Sequence, residues 1–444
     1  MSDIKRRKSK YAWLISSAGF ASQMIVSFSL GIFGISLPYI SEDLGISIAS
    51  LAIASSVFGL GFSGCGVLWG TLVDKIGHRK VMGFGAIMAA CSMILFGLTV
   101  SSVPGAVIIC GLLGIAASSA STGVIPKLVS NWYDVSMRGK GNAVITLGGT
   151  CGGALIGVLA PILITGYTWR GCFIRFGVMC LILAVFIVIV LRDSPEKIGT
   201  VPLGSSPDVQ VGEVEEVERR QRIATGQSRI EAMKRVVKMP VFWKCAIMYL
   251  FWSFYLICDG TYLISAITSM GYSLVVAGFC GTIKTIAMLF GTLLWPSIAD
   301  HTSRKNILGL LYGVSGILYI TLFFILGVGN ITLLFIEIAF LGFFLSHTPI
   351  YQVAISESFP PDLRGTGPGM IVTLSVIGTF SGPIVVSALI NAFGGNISMY
   401  CLFSGLCLLV SSLIAFACIP KTGGRYGDPF LEQAKQGVKG TMQN

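Results

Sequence analysis

Two ionisable residues stand inside long apolar runs. Lys284 lies near the middle of a run at about 275–298, and Asp259 within another at about 241–267. A charge in hydrocarbon is costly and by default marks a function. A fixed cation in a low-dielectric site attracts anions far more strongly than it would in water. For Lys284 the alternatives are a structural ion pair with Asp259, or an amine that snorkels to the interface. Trp252, Tyr255, Asp259 and Tyr262 recur at i, i+3, i+7 and i+10, which is one face of a helix. That face carries a carboxylate and two phenols, which suits a water-lined path; plain aromatic packing is the alternative. Burial favours the neutral form of Asp259 and a nearby Lys favours the charged form. Asp259 is therefore either a proton carrier or half of a locking ion pair.

Weaker candidates follow. Glu337, in a run at about 330–354, is a second proton site or an interface residue. His347 can titrate near neutrality or simply satisfy a hydrogen bond. Gln23 can donate to a carboxylate or bridge helices. Lys127 follows Pro126 and either snorkels or meets substrate. Arg170 and Arg175 flank an outer loop, where they steer anions or fix the loop. Cysteines such as Cys65, Cys180 and Cys258 lie within apolar runs without C-x-x-C spacing, so they read as small packing residues. Gly59-Leu-Gly61-Phe-Ser-Gly64 imitates a dinucleotide loop, but it sits inside an apolar run with no preceding strand. No metal site, cofactor site or catalytic constellation emerges, and no enzyme is expected.

The elements that must hold these residues are set by composition. The chain has 444 residues, 54% hydrophobic and only 11% charged, where soluble domains average about 25% charged. That excludes an ordinary soluble enzyme. Twelve runs are long enough to span a bilayer, at about 12–38, 50–72, 81–103, 105–130, 142–166, 172–191, 241–267, 275–298, 306–327, 330–354, 367–390 and 397–419. They are continuous rather than alternating, which argues against a β-barrel. The first run follows Lys5, Arg6, Arg7, Lys8 and Lys10 and is too long for a cleaved signal core. Most Lys and Arg fall in the N-tail, alternate loops, the 192–244 stretch and the C-tail. By the positive-inside rule both termini are expected in the cytoplasm. The net charge of +11 then reports topology and lipid head groups rather than nucleic acid.

The chain also repeats. Asp300 follows Asp74 by 226 residues, and Arg364 follows Arg138 by the same 226. Two short matches at one offset indicate a duplicated six-span unit, an arrangement that puts a substrate site where repeats meet. The expected division is a first bundle at 1–191, a middle loop at 192–240, a second bundle at 241–420 and a tail at 421–444. The loop carries a mixed-charge run, Glu213 to Arg222, and 228–238 could form an amphipathic helix with Ile230, Met233 and Val237 on one side.

The segment Gly70-Thr-Leu-Val-Asp74-Lys-Ile-Gly77-His-Arg79-Lys80 resembles the loop signature of the major facilitator superfamily, with a degenerate second copy at Asp300 and Arg304. The resemblance implies an all-α membrane protein of twelve transmembrane helices in two pseudo-symmetric six-helix bundles. It implies a transporter working by alternating access. Gly70, Asp74, Gly77, Arg79, Lys80, Arg138, Asp300, Arg304 and Arg364 would then form conformational latches, with Asp74 joined to Arg79 and Arg138. Asn131-Trp132-Tyr133, Trp169-Arg170-Gly171 and Arg192-Asp193-Ser-Pro195 resemble its organic-anion branches. The second half departs from them: Thr292 and Leu293 replace an Arg-Pro pair, and Glu357 to Arg364 is closer to aromatic-acid and sugar symporters. The expected cargo is a small organic anion, moved with a proton or against a counter-anion, with Lys284, Gln23, Trp252, Tyr255 and Tyr262 at the substrate and Asp259, Glu337 and His347 at the proton. A sugar or drug transporter of the same superfamily is the alternative. A monomer in a plasma membrane, of the bacterial inner-membrane kind, is expected.

Overall fold

The computed structural model describes residues 11–120, 124–134, 137–195, 198–200, 202–204, 229–360, 363–364 and 366–418. The basic N-tail, the run Glu213 to Arg222 and the 421–444 tail lie outside them. Two compact units arise, Met1–Gln227 and Ser228–Asn444.

The first unit contains α1 (Tyr11–Leu44), α2 (Ile48–Gly64), α3 (Gly66–Ile76), α4 (His78–Thr99), α5 (Val103–Ala117), α6 (Ile125–Trp132) and α7 (Arg138–Val190). The second contains α8 (Arg229–Lys238), α9 (Pro240–Ser269), α10 (Leu274–His301), α11 (Arg304–Leu326), α12 (Ile331–Phe344), α13 (Thr348–Glu357), α14 (Thr366–Leu374), α15 (Val376–Ala392) and α16 (Met399–Cys418). Among the described residues no strand forms beyond an isolated bridge between Tyr133 and Leu203.

Among the described residues ten helices are long and apolar enough to cross a bilayer, and the pair α2 and α3, bent by 46°, makes an eleventh if it counts as one span. The 53-residue α7 supplies one more, because Thr168 breaks it with φ 75° and ψ 164°. A β-branched residue in left-handed backbone is strained, and its surroundings hold it there. The next residue, Trp169, donates its indole N–H to Asp43 Oδ2 at 3.0 Å, and the Arg170 guanidinium sits 4.3 Å over the Trp169 ring. Arg175 in turn lies 3.5 Å over Tyr167. These arginines fasten a turn. Helices cover the twelve apolar runs, several of them broken mid-way.

Within the first unit α1 packs on the first half of α7, α4 on its second half, and α2 on α5. Close approach comes from missing side chains: a Cβ on Gly148 would stand 2.1 Å from the Phe20 carbonyl oxygen. The second unit repeats this plan, with α9 on α15, α11 on α16 and α10 on α12. The duplication reaches individual hydrogen bonds. Trp69 Nε1 donates to the Ile115 carbonyl at 2.8 Å, and Trp295 Nε1, 226 residues on, donates to the Phe343 carbonyl at 3.1 Å. Arg138 Nε donates to the Tyr133 carbonyl, and Arg364 Nε to the Phe359 carbonyl, both at 3.2 Å.

The expected amphipathic segment is the helix α8, but its buried residue is Val236, while Met233 and Val237 are exposed. The described cysteines are free thiols, most of them buried.

Candidate functional site

The strongest constellation lies inside the second unit. The Lys284 ammonium on α10 donates to Asp259 Oδ2 on α9. The Tyr319 hydroxyl on α11 donates to Asp259 Oδ1 at 2.5 Å. Both carboxylate oxygens are therefore held by partners from two other helices. The Lys284 and Asp259 side chains are 15% and 10% exposed, so the amine turns into the bundle rather than out to lipid. Why the backbone allows this is plain at Gly342 on α12. A Cβ there would stand 2.2 Å from the Lys284 carbonyl oxygen, so only glycine lets α12 lie flat against α10 at that depth. Tyr255, one turn before Asp259, packs its ring 5.3 Å from Tyr319. A buried ion pair of this kind is a poor source of stability, since desolvation offsets its Coulomb attraction.

The other residues of the α9 stripe separate. Tyr262 is fully buried and donates its hydroxyl to the Pro383 carbonyl at 3.0 Å, which fastens α9 to α15. Trp252 stacks with Tyr249 at 4.6 Å and meets the His347 ring at 5.6 Å. His347 stands at the break between α12 and α13 and is buried. Glu337 is half-buried on α12 and accepts a hydrogen bond from Thr321 on α11. Its flanking residues Ile336 and Phe340 are exposed, so it belongs to an outer face of the unit. Gln23 lies in the first unit and donates to the Ala120 carbonyl at 2.7 Å, bridging helices.

The latch residues also fall differently from expectation. Asp74 on α3 pairs with neither Arg79 nor Arg138. Its partner is Lys127 on α6, whose ammonium reaches both Asp74 carboxylate oxygens at 2.7 Å and the Gly70 carbonyl at 2.8 Å. Arg79 instead donates its Nε to the Val188 carbonyl at 2.8 Å, while its backbone N–H donates to Asp193 Oδ1 at 3.0 Å. Arg138 is turned onto its own loop at Tyr133. The physical reason is direction. Arg79 opens α4 and points to the end of α7, whereas α6 ends its approach on α3. Gly77 makes the sharp turn between α3 and α4 with φ 88°, and Lys80 is exposed. In the second unit Arg304 bridges Asp300 Oδ1 at 2.7 Å and Glu357 at 2.5 Å.

Sequence reasoning assigned no role to Tyr319, Glu357 or Asp193. Tyr319 had a signal: Tyr312, Ser315 and Tyr319 recur at i, i+3 and i+7, the spacing that singled out the α9 stripe.

With this geometry in place the chain can be set beside known proteins. Residues 19–383 match the Major Facilitator Superfamily. A probable hexose phosphate transport protein of Chlamydia trachomatis is 26% identical over 364 residues, 77% of this chain and 76% of that one. Its counterpart in Chlamydia muridarum is 26% identical over 320 residues, 67% and 68% of the two chains. Among solved structures, a D-xylose–proton symporter superposes with a TM-score of 0.70 at 18% identity, covering 94% of this chain and 99% of that one; that likeness concerns the fold. The chain belongs to the major facilitator superfamily, and it is a multi-pass membrane transporter of small molecules, not an enzyme.

Proposed function

We propose that this transporter carries a small organic anion bearing a carboxylate or phosphate, by alternating access, with Lys284 as the group that attracts it. The observation that carries this reading is the ammonium of Lys284, buried in the second unit and paired with Asp259. The chlamydial relatives, named for a phosphorylated sugar, support an anionic cargo.

The pair suggests how binding couples to a second ion. An anion drawn to Lys284 enters beside the Asp259 carboxylate. Two like charges 4 Å apart repel by about 4 kcal/mol at an effective dielectric of 20. A proton taken up by Asp259 removes that repulsion, which is symport. Leaving Asp259 ionised requires that one anion replace another, which is exchange. Tyr319, donating to Asp259, steadies the carboxylate while Lys284 is engaged elsewhere. Glu337 and His347 remain proposed proton sites of lower rank, because neither touches the ion pair. The Asp74–Lys127 and Asp300–Arg304–Glu357 groups are proposed as the latches that set the conformational balance. Both termini are proposed to face the cytoplasm, as the placement of the basic residues supports.

Uptake of radiolabelled hexose phosphate, glucuronate and lactate into proteoliposomes tests this. Lys284→Ala should abolish uptake of every accepted anion, and Lys284→Arg should keep part of it. An imposed proton gradient should accelerate uptake under symport, and internal anion should do so under exchange. Normal anion uptake by a folded Lys284→Ala protein would remove the anchor.

A further inference from the structure

A second cluster lies on the same helices, away from the ion pair. Trp252 precedes Asp259 on α9 by seven residues, and Tyr312 precedes Tyr319 on α11 by seven. Seven residues of helix rise about 10 Å, so the cluster sits two turns from the charged group. Tyr249 and Tyr351 stack at 4.6 Å with 10° between their planes. Trp252 stacks on Tyr249 at 4.6 Å and 24°. His347 meets the Trp252 ring edge-on at 80°, and the Tyr312 ring lies 4.6 Å from His347.

The polar atoms of this cluster are the unusual part. Trp252 Nε1, Tyr312 Oη and His347 Nε2 are all buried and have no hydrogen-bond partner among the described residues. Tyr312 is fully buried and His347 is 3% exposed. A buried donor or acceptor left unpaired costs about 1–3 kcal/mol, and native proteins contain only a few per 100 residues. Three on one ring cluster point to a ligand that satisfies them. Tyr249 and Trp252 are half-buried, while Tyr312 and His347 are buried beneath them. The chemistry is specific. Flat aromatic faces accept the C–H side of a ring, and uncharged N–H and O–H groups at their edges match hydroxyls.

We propose that Trp252, Tyr312 and His347 form a second subsite, which binds the uncharged polyhydroxylated part of an anionic cargo whose charged group is held at Lys284. This rests on the anion-binding reading of Lys284. It narrows the cargo from any small anion to a polyol anion such as a sugar phosphate or sugar acid. The cluster lies about two helical turns, roughly 10 Å, from Asp259 and Tyr319, which adjoin Lys284.

The test compares ligands that share a charge and differ in hydroxyls. Binding of glucose 6-phosphate and of inorganic phosphate to the purified full-length protein is measured by calorimetry for wild type, Trp252→Phe, Tyr312→Phe and His347→Phe. These aromatic replacements preserve packing, and each is checked for cooperative thermal unfolding. Each should weaken glucose 6-phosphate tenfold or more and leave inorganic phosphate within twofold. Equal weakening of both ligands, or of neither, overturns the subsite. Lys284→Ala separates the two readings. It should weaken both ligands. If it weakens neither while the aromatic variants still select against the sugar phosphate, the anchor at Lys284 falls and the polyol subsite stands. Wild-type protein offers a readout free of substitutions: glucose 6-phosphate, but not inorganic phosphate, should change the tryptophan emission, and an unchanged spectrum at saturation counts against the subsite.

Discussion

Lys284 occupies in the second unit the packing position that Phe58 occupies in the first. The two residues are 226 apart in sequence. The Phe58 carbonyl oxygen would stand 2.2 Å from a Cβ on Gly114, and the Lys284 carbonyl oxygen 2.2 Å from a Cβ on Gly342. The same glycine-to-backbone contact therefore presents an aromatic ring in one unit and an ammonium in the other. The scaffold was duplicated, and the charge belongs to one copy. Residue 33, at the matching offset from Asp259, is a phenylalanine, so the first unit carries neither partner of the pair.

The glycine contacts give a prediction about packing. Gly114→Ala and Gly342→Ala should each destabilise by about 1–3 kcal/mol, as overpacked cores do, because the obstructing atoms are backbone. Gly166→Ala, with no heavy atom within 4 Å of its Cβ position, should be neutral or slightly stabilising. Thermal unfolding in detergent measures all three. Equal behaviour of Gly166→Ala and Gly342→Ala would contradict the packing account.

The ion pair predicts a non-additive cycle. Lys284→Met leaves Asp259 buried and charged, which should lower stability by about 3–5 kcal/mol. Asp259→Leu leaves Lys284 in the same position and should do similar harm. The double variant removes both charges, and its stability should recover most of the loss. Adding Tyr319→Phe to the double variant should cost little, since its acceptor has gone. Unfolding midpoints of wild type and the four variants decide this, and strict additivity would mean that the two groups do not interact.

At the first loop signature, Asp74→Asn and Lys127→Gln should change transport rate together. The pair is about half exposed, so its effect on stability should stay below about 1 kcal/mol. Its effect should appear in the rate of conformational exchange. The double variant should be no slower or faster than either single one. Asp74→Asn combined with Arg138→Gln should instead show independent effects, because Arg138 is engaged at Tyr133. Initial uptake rates measure both cycles, and coupling to Arg138 rather than Lys127 would restore the expectation drawn from the signature alone.

In the second unit the two acids around Arg304 should differ. The Glu357 side chain is 19% exposed and that of Asp300 is 57% exposed. Screening by water weakens the outer pair more. Glu357→Gln should therefore impair transport or stability more than Asp300→Asn, in the same assay. A larger effect at Asp300 would place the weight of the latch on the exposed pair.

Much of this was legible in the chain itself. Apolar runs of bilayer length, the scarcity of charge and the 226-residue repeat determined the all-helical membrane fold and its repeated plan, because hydrophobic length is a local property that needs no knowledge of neighbours. The placing of Lys284 and Asp259 inside spans was local in the same sense. Which groups meet was another matter. Asp74 pairs with Lys127, 53 residues away, because α6 lands on α3 while Arg79 points toward the end of α7. Tyr319 reaches Asp259, and Tyr262 turns to Pro383, because each helix has one rotation about its axis and one depth in its unit. A helix period shows which residues share a face but not which neighbour that face meets. Contacts such as Gly342 on the Lys284 backbone set that choice, and they exist only once the helices are packed.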